Sequence, residues 1–237
     1  ASNPLGMNHP KLTEDVDFKA RLTDAAINKV SNPDVYTTHL ARFVQTFSRV
    51  GIPAYLPHAF FVSGGALAVE NALKAAFDWK VRKNIEKGLV SGDGDPDLGT
   101  KALHFRNAFH GRTGYTLSLT NTRPDKIGLF PKFPWPRVHN PAIEFDLDGG
   151  IANDIAAEEQ RSLDEIEQAY AEHGRRVAAI LIEPMQGEGG DNHFRSEFLA
   201  ELRRIADERE SLLIFDEVQT GFFGSGKPWW WQHHEVA

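Results

Sequence analysis

The stretch LLIFDEVQTGFF, residues 212–223, decides the fold class. Four apolar residues run without alternation into two acids, Asp216 and Glu217. A short continuous apolar run is typical of a buried strand in a parallel sheet, where both faces are covered. Acids that directly follow such a strand lie at the edge of the sheet where α/β proteins bind their ligands. We therefore predict a buried strand over 211–217 that ends in a ligand-facing carboxylate.

Strands and helices alternate along the chain that leads to this stretch. Three more apolar runs predict strands at 58–62, 101–106 and 177–183. Apolar periodicity predicts helices over 10–30, 37–49, 66–87, 151–173 and 196–210, the last capped by Ser196. Residues 122–150 hold five prolines and several aromatic residues, which predicts an ordered loop.

This alternation is typical of an α/β fold with a mostly parallel sheet and flanking helices. We divide the chain into an N-terminal helical segment, residues 1–57, and a large α/β domain, residues 58–237.

The composition narrows the classes of function. Apolar residues make up 41% of the 237 and charged residues 25%, as is ordinary for a soluble globular protein. A net charge of -7 argues against nucleic-acid and anionic-membrane partners. The chain has no cysteine, which excludes a disulfide scaffold and thiolate chemistry and fits a cytoplasmic location. No run reaches the ~18 apolar residues of a membrane span, and no metal site is expected, since the adjacent His233 and His234 diverge.

The stretch SGGALAVENALK, residues 63–74, predicts a strand end, a glycine turn and the start of a helix. Free N–H groups and the positive end of the dipole make a helix N-terminus an anion site. Gly64 and Gly65 would let a phosphate approach the backbone closely. In the alternative interpretation, Ser63 merely caps the helix and the glycines merely turn the chain.

A second candidate site is FHGRTGYT, residues 109–116. Phe109 and His110 offer aromatic faces, and Arg112 offers a planar fork for a carboxylate or phosphate. The alternative is a surface arginine beside a core phenylalanine, and the pattern favours neither.

A third is IEPMQGEGGD, residues 182–191, in which Glu188 lies in a glycine-flanked loop. A carboxylate at that position must be paired or placed for a ligand. The alternative is a plain turn between a strand and a helix.

The opening stretch completes the set. Asp216 could cap the next turn, or it could accept a hydrogen bond from a protonated ring nitrogen. Gln219 could reach the same ligand. A phosphate cradle, an aromatic face, an arginine fork and a strand-end aspartate are what a phosphorylated aromatic cation needs. Pyridoxal 5′-phosphate is such a molecule.

Four stretches together resemble a known family in order and spacing: FVSGGALAVENALKAAF, FHGRTGYTLSLTNT, EPMQGEGGDNHF and LLIFDEVQTGF. The family is the class-III pyridoxal-phosphate ω-aminotransferases, which act on ornithine, 4-aminobutyrate or acetylornithine. The variant GGALAVENALKAAFDWK is similar to the lysine 6-aminotransferase branch. The resemblance covers nearly all of the chain. It implies the large domain of a fold-type I transferase, here incomplete, and a homodimer.

The resemblance also implies a role for individual residues at the cofactor. The backbone of Gly65 and Ala66 matches the positions that hold the phosphate, and Phe109 matches the aromatic that stacks on the pyridine ring. Asp216 matches the partner of the ring nitrogen. Gln219 matches the residue near the phenolic oxygen.

Two further residues match positions that contact substrate. Arg112 corresponds to the arginine that binds the α-carboxylate of L-lysine in the lysine enzyme. Glu188 corresponds to a glutamate that reorients between two substrates. The implied reaction moves the ε-amino group of L-lysine to 2-oxoglutarate.

The chain departs from the family pattern in one respect. The family's Schiff-base lysine follows the strand-end aspartate by about thirty residues, whereas Ala237 is only twenty-one residues past Asp216. Lys227 matches no such context. We therefore expect a fragment that lacks the lysine and the small C-terminal domain. Two alternatives stay open, namely a related ω-aminotransferase with another amino donor and an inactive fragment or non-catalytic subunit.

Overall fold

The computed structural model describes residues 5–28, 35–91, 95, 98–234 and 236. In these ranges the α-helices are α1 (Pro10–Thr13), α2 (Val16–Asn28), α3 (Thr38–Val50), α4 (Gly65–Glu86), α5 (Gly114–Leu119), α6 (Pro124–Ile127), α7 (Ile155–His173) and α8 (Ser196–Glu208). The strands are β1 (Lys101–Phe105), β2 (Arg137–Val138), β3 (Val177–Ile182), β4 (Met185–Gln186), β5 (Asn192–His193) and β6 (Leu212–Phe215). A 3₁₀ turn covers Trp230–His233.

Four strands form a parallel sheet in the order β2-β1-β3-β6. Ile180 of β3 lies between Leu103 of β1 and Leu213 of β6, which fixes the register at the centre of the sheet. The remaining two strands, β4 and β5, form a short antiparallel ribbon. The predicted α/β fold with a mostly parallel sheet is confirmed.

Strand β3 is buried along its whole length because helices cover both faces of the sheet. Ala179 and Leu181 pack with the apolar residues of α4 and α5, whereas Ile180 and Ile182 pack with those of α7 and α8. Full burial of one such aliphatic side chain stabilises the fold by about 1.5–3 kcal/mol. Two-sided burial explains the absence of alternation in VAAILI.

Strand β6 is half-buried, so the prediction of a buried strand over 211–217 is wrong in its burial. The strand itself is present over Leu212–Phe215. It is the outer strand of the sheet within the described residues, and it has β3 on one side only. An outer strand has fewer neighbours to cover its side chains.

The strand predicted over 58–62 is also wrong, because these residues have no regular structure and are mostly exposed. Phe60 is 76% exposed. The apolar run therefore lacks a sheet partner in the described part of the chain, and composition alone does not supply one.

The predicted loop over 122–150 contains α6 and a missed strand, β2. Pro136 precedes β2, and its carbonyl accepts a hydrogen bond of 3.1 Å from the backbone N of His104. A proline carbonyl can extend a ladder at the outer strand of a sheet, where the missing N–H is not required.

Two helix starts differ from the prediction. Helix α7 begins at Ile155 rather than 151, since Asp154 caps it by accepting a bond of 3.2 Å from the backbone N of Ala157. The N-cap of α8 is Arg195, not Ser196. The Ser196 hydroxyl instead lies 3.0 Å from His234 Nδ1.

The helix predicted over 10–30 is instead two helices, α1 and α2, separated by Glu14 and Asp15, and residues 29 and 30 lie outside the described ranges. Helix α3 docks on the C-terminal turn, because Trp229 Nε1 donates to the Gly51 carbonyl at 2.6 Å. The division of the chain at residue 57 stays a prediction. None of the helices in the described ranges is long and apolar enough to cross a bilayer.

Candidate active site

The loops that follow β1, β3 and β6 meet the start of α4 around a cavity of about 250 Å³. The carboxyl ends of parallel strands lie at one edge of a sheet, which is why segments distant in sequence converge there. Nine residues line the cavity: Gly65, Ala66, Phe109, His110, Gly111, Glu183, Asp216, Val218 and Gln219. All five residues that the sequence assigned to the cofactor are among them.

The first turn of α4 forms one wall of the cavity. Its N-cap is Gly64, with φ of 119° and no side-chain cap, so the interpretation of Ser63 as the cap is wrong. The helix has 22 residues, and its first N–H groups have no capping side chain. These groups and the positive end of the helix dipole suit an anion.

Gly111 lets the loop after β1 pack directly on α4. A Cβ on Gly111 would lie 2.5 Å from the Cβ of Ala66, and φ of 112° is unfavourable for any other residue. The close approach brings Phe109 and His110 into the same wall as Gly65 and Ala66.

Asp216 faces the cavity from the end of β6, and its side chain is only 4% exposed. Its Oδ2 lies 2.8 Å from His110 Nδ1, and its Oδ1 accepts a bond of 3.0 Å from the backbone N of Val218. The interpretation of Asp216 as a cap for the next turn is therefore confirmed, whereas its hydrogen bond to a ligand ring nitrogen stays a prediction. Its Oδ2 pairs with a histidine inside the cavity.

His110 has a structural role that the sequence did not reveal, since it was considered only as an aromatic face. Its ring is buried, and its Nε2 has no hydrogen-bond partner in the described residues. The backbone N of His110 donates to Thr120 Oγ1 at 2.9 Å. These contacts fix the imidazole against Asp216. The pair spans 106 residues, so no local pattern predicts it.

Glu183 is a second residue that the sequence analysis missed as part of the site. It directly follows β3, is buried, and accepts a bond of 2.8 Å from the backbone N of Phe109 through Oε1. Burial raises the pKa of Glu183 to about 7, and the Asp216 carboxylate adds to the rise, although His110 and the Phe109 N–H oppose it. The signal that could have identified Glu183 is its position as a polar residue directly after an apolar strand.

Gln219 joins the loop after β6 to the loop after β4. A Cβ on Gly187 would lie 2.0 Å from Gln219 Oε1, so only glycine allows the amide to lie there. The contact places Gln219 at the cavity beside the segment that carries Glu188.

The two predicted substrate residues, Arg112 and Glu188, are exposed and do not line the cavity. The Glu188 carboxylate pairs with Lys126, whose ammonium group lies 5.7 Å from the centre of the Phe109 ring. The hydrogen bond from Lys126 lowers the pKa of Glu188. Arg112 lies two residues beyond His110 in the chain. Their substrate roles stay predictions.

The donor set suits a phosphorylated aromatic ring. The helix start offers N–H groups, Phe109 offers a ring face, and Asp216 offers a buried oxygen acceptor. No lysine is among the described residues that line the cavity. Within the described ranges no three metal-binding side chains cluster. The residues present therefore fit pyridoxal phosphate.

Comparisons with known proteins agree with this chemistry. The model of the aminotransferase class-III family matches residues 1–237. The chain is 54% identical over 238 residues to the L-lysine-epsilon aminotransferase of Mycobacterium tuberculosis strain H37Rv, covering 100% of this chain and 51% of the relative. It is 48% identical over 233 residues to the Streptomyces clavuligerus protein of the same name, covering 98% and 49%.

The fold is similar to solved structures as well. Lysine aminotransferase from M. tuberculosis in the internal aldimine form superposes with a TM-score of 0.90 at 52% identity, over 99% of this chain and 52% of that one. A 4-aminobutyrate aminotransferase of Emericella nidulans is 34% identical over 246 residues, covering 98% of this chain and 49% of that protein. The chain spans about half the length of the curated relatives it matches.

Proposed function

Because the chain belongs to the class-III aminotransferase family, we propose that its cavity binds pyridoxal 5′-phosphate. We also propose that the whole protein transfers the ε-amino group of L-lysine to 2-oxoglutarate. The observation that carries the proposal is the meeting of the α4 N-terminus, Phe109 and Asp216 around one cavity. The choice of L-lysine is supported by two relatives that bear that substrate in their names. The choice of 2-oxoglutarate rests on the motif resemblance.

Each wall of the cavity has a defined task in this proposal. When bound, the cofactor supplies an electron sink for bond changes at the substrate's amino-bearing carbon. The backbone of Gly65 and Ala66 holds the phosphate, and Phe109 packs on the ring. Asp216 accepts a hydrogen bond from the ring nitrogen and keeps it protonated.

His110 and Glu183 position these groups. The 2.8 Å contact between His110 Nδ1 and Asp216 Oδ2 fixes the orientation of the carboxylate. The bond from the Phe109 backbone N to Glu183 fixes the start of the loop that carries the ring-stacking residue. Groups held in advance bind without the entropic cost of being ordered by the ligand.

The two residues that we assign to the substrate lie outside the cavity wall. Arg112 binds the α-carboxylate through two parallel hydrogen bonds, and Glu188 distinguishes the amino donor from the acceptor. The active unit is a homodimer, and the absence of cysteine is consistent with a cytoplasmic location.

Taken alone, the 237-residue chain should bind the cofactor without turning over substrate. The observation behind this second proposal is that no lysine of the described residues lines the cavity. An ornithine or 4-aminobutyrate donor remains the alternative for the whole protein, in view of the 34% identity to the 4-aminobutyrate enzyme.

The test is the affinity of the purified chain for pyridoxal phosphate, measured by quenching of tryptophan fluorescence. Asp216→Asn should weaken binding by about one to two powers of ten, since a charge-assisted bond contributes about 1.5–3 kcal/mol. Phe109→Ala should weaken it about two- to tenfold, given ~0.5–1.5 kcal/mol for ring stacking. Glu217→Gln is the matched control, because Glu217 points away and accepts from the backbone N of Trp230 and Trp231.

Pyridoxal without its phosphate tests the helix N-terminus and should bind far more weakly. Equal affinity for pyridoxal and its phosphate, or equal loss in Asp216→Asn and Glu217→Gln, would contradict the assignment. Borohydride treatment followed by peptide mapping checks the second proposal, which predicts no modified lysine.

A further inference from the structure

The segment that carries Arg112 is held against α4 at both of its ends. On one side, Gly111 packs so closely on α4 that an added Cβ would lie 2.5 Å from the Cβ of Ala66. On the other side, the backbone N of Tyr115, in the first turn of α5, donates to Glu70 Oε1 at 3.1 Å. The backbone at Arg112 is therefore restrained from both directions.

Glu70 makes the second of these contacts from a half-buried position on α4. Its hydrogen bond to the backbone N of Tyr115 joins residues that are 45 apart in the chain. A carboxylate that satisfies a free N–H group at a helix start is stabilising, and the helix dipole favours its charge. Because Gly65 and Ala66 lie on the same helix as Glu70, this bond fixes the start of α5 relative to the phosphate wall.

Short-range hydrogen bonds make the loop before α5 rigid in itself. Thr120 Oγ1 donates to the Gly111 carbonyl at 2.6 Å. Thr116 Oγ1 accepts from the backbone N of Thr113 at 3.0 Å. These bonds connect the segment 109–120 to itself, whereas Glu70 connects it to α4. A shift of α5 is therefore passed on to the residues that precede it.

We propose that Glu70 is a positioning residue for the substrate carboxylate and that it acts through Arg112. The inference rests on the proposed function, which assigns the α-carboxylate of L-lysine to Arg112, and it adds a residue to which neither the motifs nor the relatives assign a role. Glu70 lies outside the cavity wall. It sets the position of the guanidinium relative to the phosphate wall, and this position decides whether one substrate molecule can reach both. A guanidinium that binds a carboxylate through two hydrogen bonds is sensitive to such alignment.

Two stable compounds isolate the contribution of the carboxylate. Nε-(5′-phosphopyridoxyl)-L-lysine joins the reduced cofactor to the far amino group of lysine. N-(5′-phosphopyridoxyl)cadaverine is the same molecule without the carboxylate. Their dissociation constants on the purified chain are measured by quenching of tryptophan fluorescence. The measured quantity is the constant of the cadaverine compound divided by that of the lysine compound, called here the carboxylate ratio.

The wild-type chain should bind the lysine compound about ten- to hundredfold more tightly, and Arg112→Met should abolish this preference. Glu70→Ala should lower the carboxylate ratio about three- to tenfold, because α5 loses its bond to α4. Glu70→Gln keeps an oxygen that can accept from the Tyr115 backbone N, so it should retain most of the ratio. Glu86→Ala is the charge control, because Glu86 is exposed at the other end of α4, and it should leave the ratio unchanged.

The double variant separates positioning from a general effect. In the Arg112→Met background, Glu70→Ala should cause no further change in the carboxylate ratio, since the group that it positions is gone. An equal fall of the ratio with and without Arg112 would overturn the proposal. Equal weakening of both compounds in Glu70→Ala would overturn it too, because a merely structural role leaves the ratio unchanged.

The same measurements distinguish this proposal from the proposed function. If Arg112→Met abolishes the preference and Glu70→Ala does not change it, only the role of Glu70 is refuted. If Arg112→Met has no effect, the substrate assignment of Arg112 is refuted and the role of Glu70 with it. Failure of both compounds to bind refutes the cofactor site itself. Denaturation midpoints verify folding, and Glu70→Asp, whose carboxylate is one methylene shorter, replaces Glu70→Ala if the alanine variant does not fold and should also lower the ratio.

Discussion

Asp216 and Glu217 are neighbours in the chain, yet their carboxylates serve opposite sides of the sheet edge. Asp216 meets His110 inside the cavity. Glu217 accepts bonds of 3.0 and 2.8 Å from the backbone N of Trp230 and Trp231 and so fixes the C-terminal turn. Successive side chains of an extended segment point in opposite directions, so two adjacent acids can hold two different structures.

Glu183 gives the chain a pH-dependent stability. Its pKa is raised from 4.5 to about 7 by burial, so the folded chain keeps a proton that the unfolded chain has already lost between these pH values. Stability therefore falls as pH rises through this window and levels off above it. At ~1.36 kcal/mol per pH unit, the total loss is about 3 kcal/mol.

Glu183→Gln removes the titrating group and keeps an oxygen that can accept from the Phe109 backbone N. The free energy of unfolding of this variant should lack the decline, so that its difference from the wild type changes by about 3 kcal/mol between about pH 4.5 and 8. Urea titrations across this range measure it, with the exposed Glu86→Gln as control. Parallel curves for the wild type and Glu183→Gln would show that Glu183 ionises normally.

At the scale of elements, Gly111 makes the contact between the loop after β1 and the first turn of α4. Gly111→Ala must place its Cβ against Ala66, at 2.5 Å before relaxation, and must hold φ near 112°. Gly88→Ala is a matched control, because Gly88 also has a positive φ of 66° but has nothing within 4 Å of the added Cβ.

We expect Gly88→Ala to lower the free energy of unfolding by about 1–2 kcal/mol through backbone strain alone. Gly111→Ala should cost about 1–3 kcal/mol more because of overpacking. It should also weaken pyridoxal phosphate binding, since Ala66 belongs to the phosphate wall. Denaturant unfolding and fluorescence titration measure the two effects. If Gly111→Ala lowers the free energy of unfolding by less than Gly88→Ala does, the loop after β1 and the first turn of α4 can separate without cost.

The strands also show which structural features could be predicted from the sequence. VAAILI and LLIF predicted strands because each is a short continuous apolar run in a chain where such runs alternate with helical patterns. HAFFV has a similar composition and forms no strand, and the two residues of β2 carry no pattern of their own. Whether such a segment forms a strand depends on pairing with a neighbouring strand, and that strand is distant in sequence.

The residues of the candidate site also fall into two groups, those that the sequence indicates and those that it does not. Gly65, Phe109, Asp216 and Gln219 could be singled out because each belongs to a local stretch with glycines or a strand end, whereas Ala66 was identified only through the resemblance to the family. The pairing of His110 with Asp216 and that of Lys126 with Glu188 depend on strand order and loop packing, which no single stretch encodes.

At the scale of the whole molecule, an apolar groove of about 600 Å³ lies between α3, the segment 51–61 and the C-terminal turn. Its aromatic side chains include Phe43, Phe47, Phe61, Phe222 and Trp229, which contact one another. Several remain substantially exposed. Contiguous exposed apolar surface of this kind is uncommon in monomers and promotes association.

We therefore predict that the purified chain self-associates in a concentration-dependent manner, which sedimentation velocity measures. Phe60 lines the groove and is 76% exposed, so Phe60→Lys should weaken association without affecting folding. Loss of one buried phenylalanine contact, about 1.5–3 kcal/mol, corresponds to about one to two powers of ten in the dissociation constant. Leu129→Lys adds the same charge at a residue that is 99% exposed and lies outside the groove wall, so it should leave association unchanged. A chain that stays monomeric at high concentration, or equal effects of the two lysine substitutions, would show that the groove is not the surface through which copies meet.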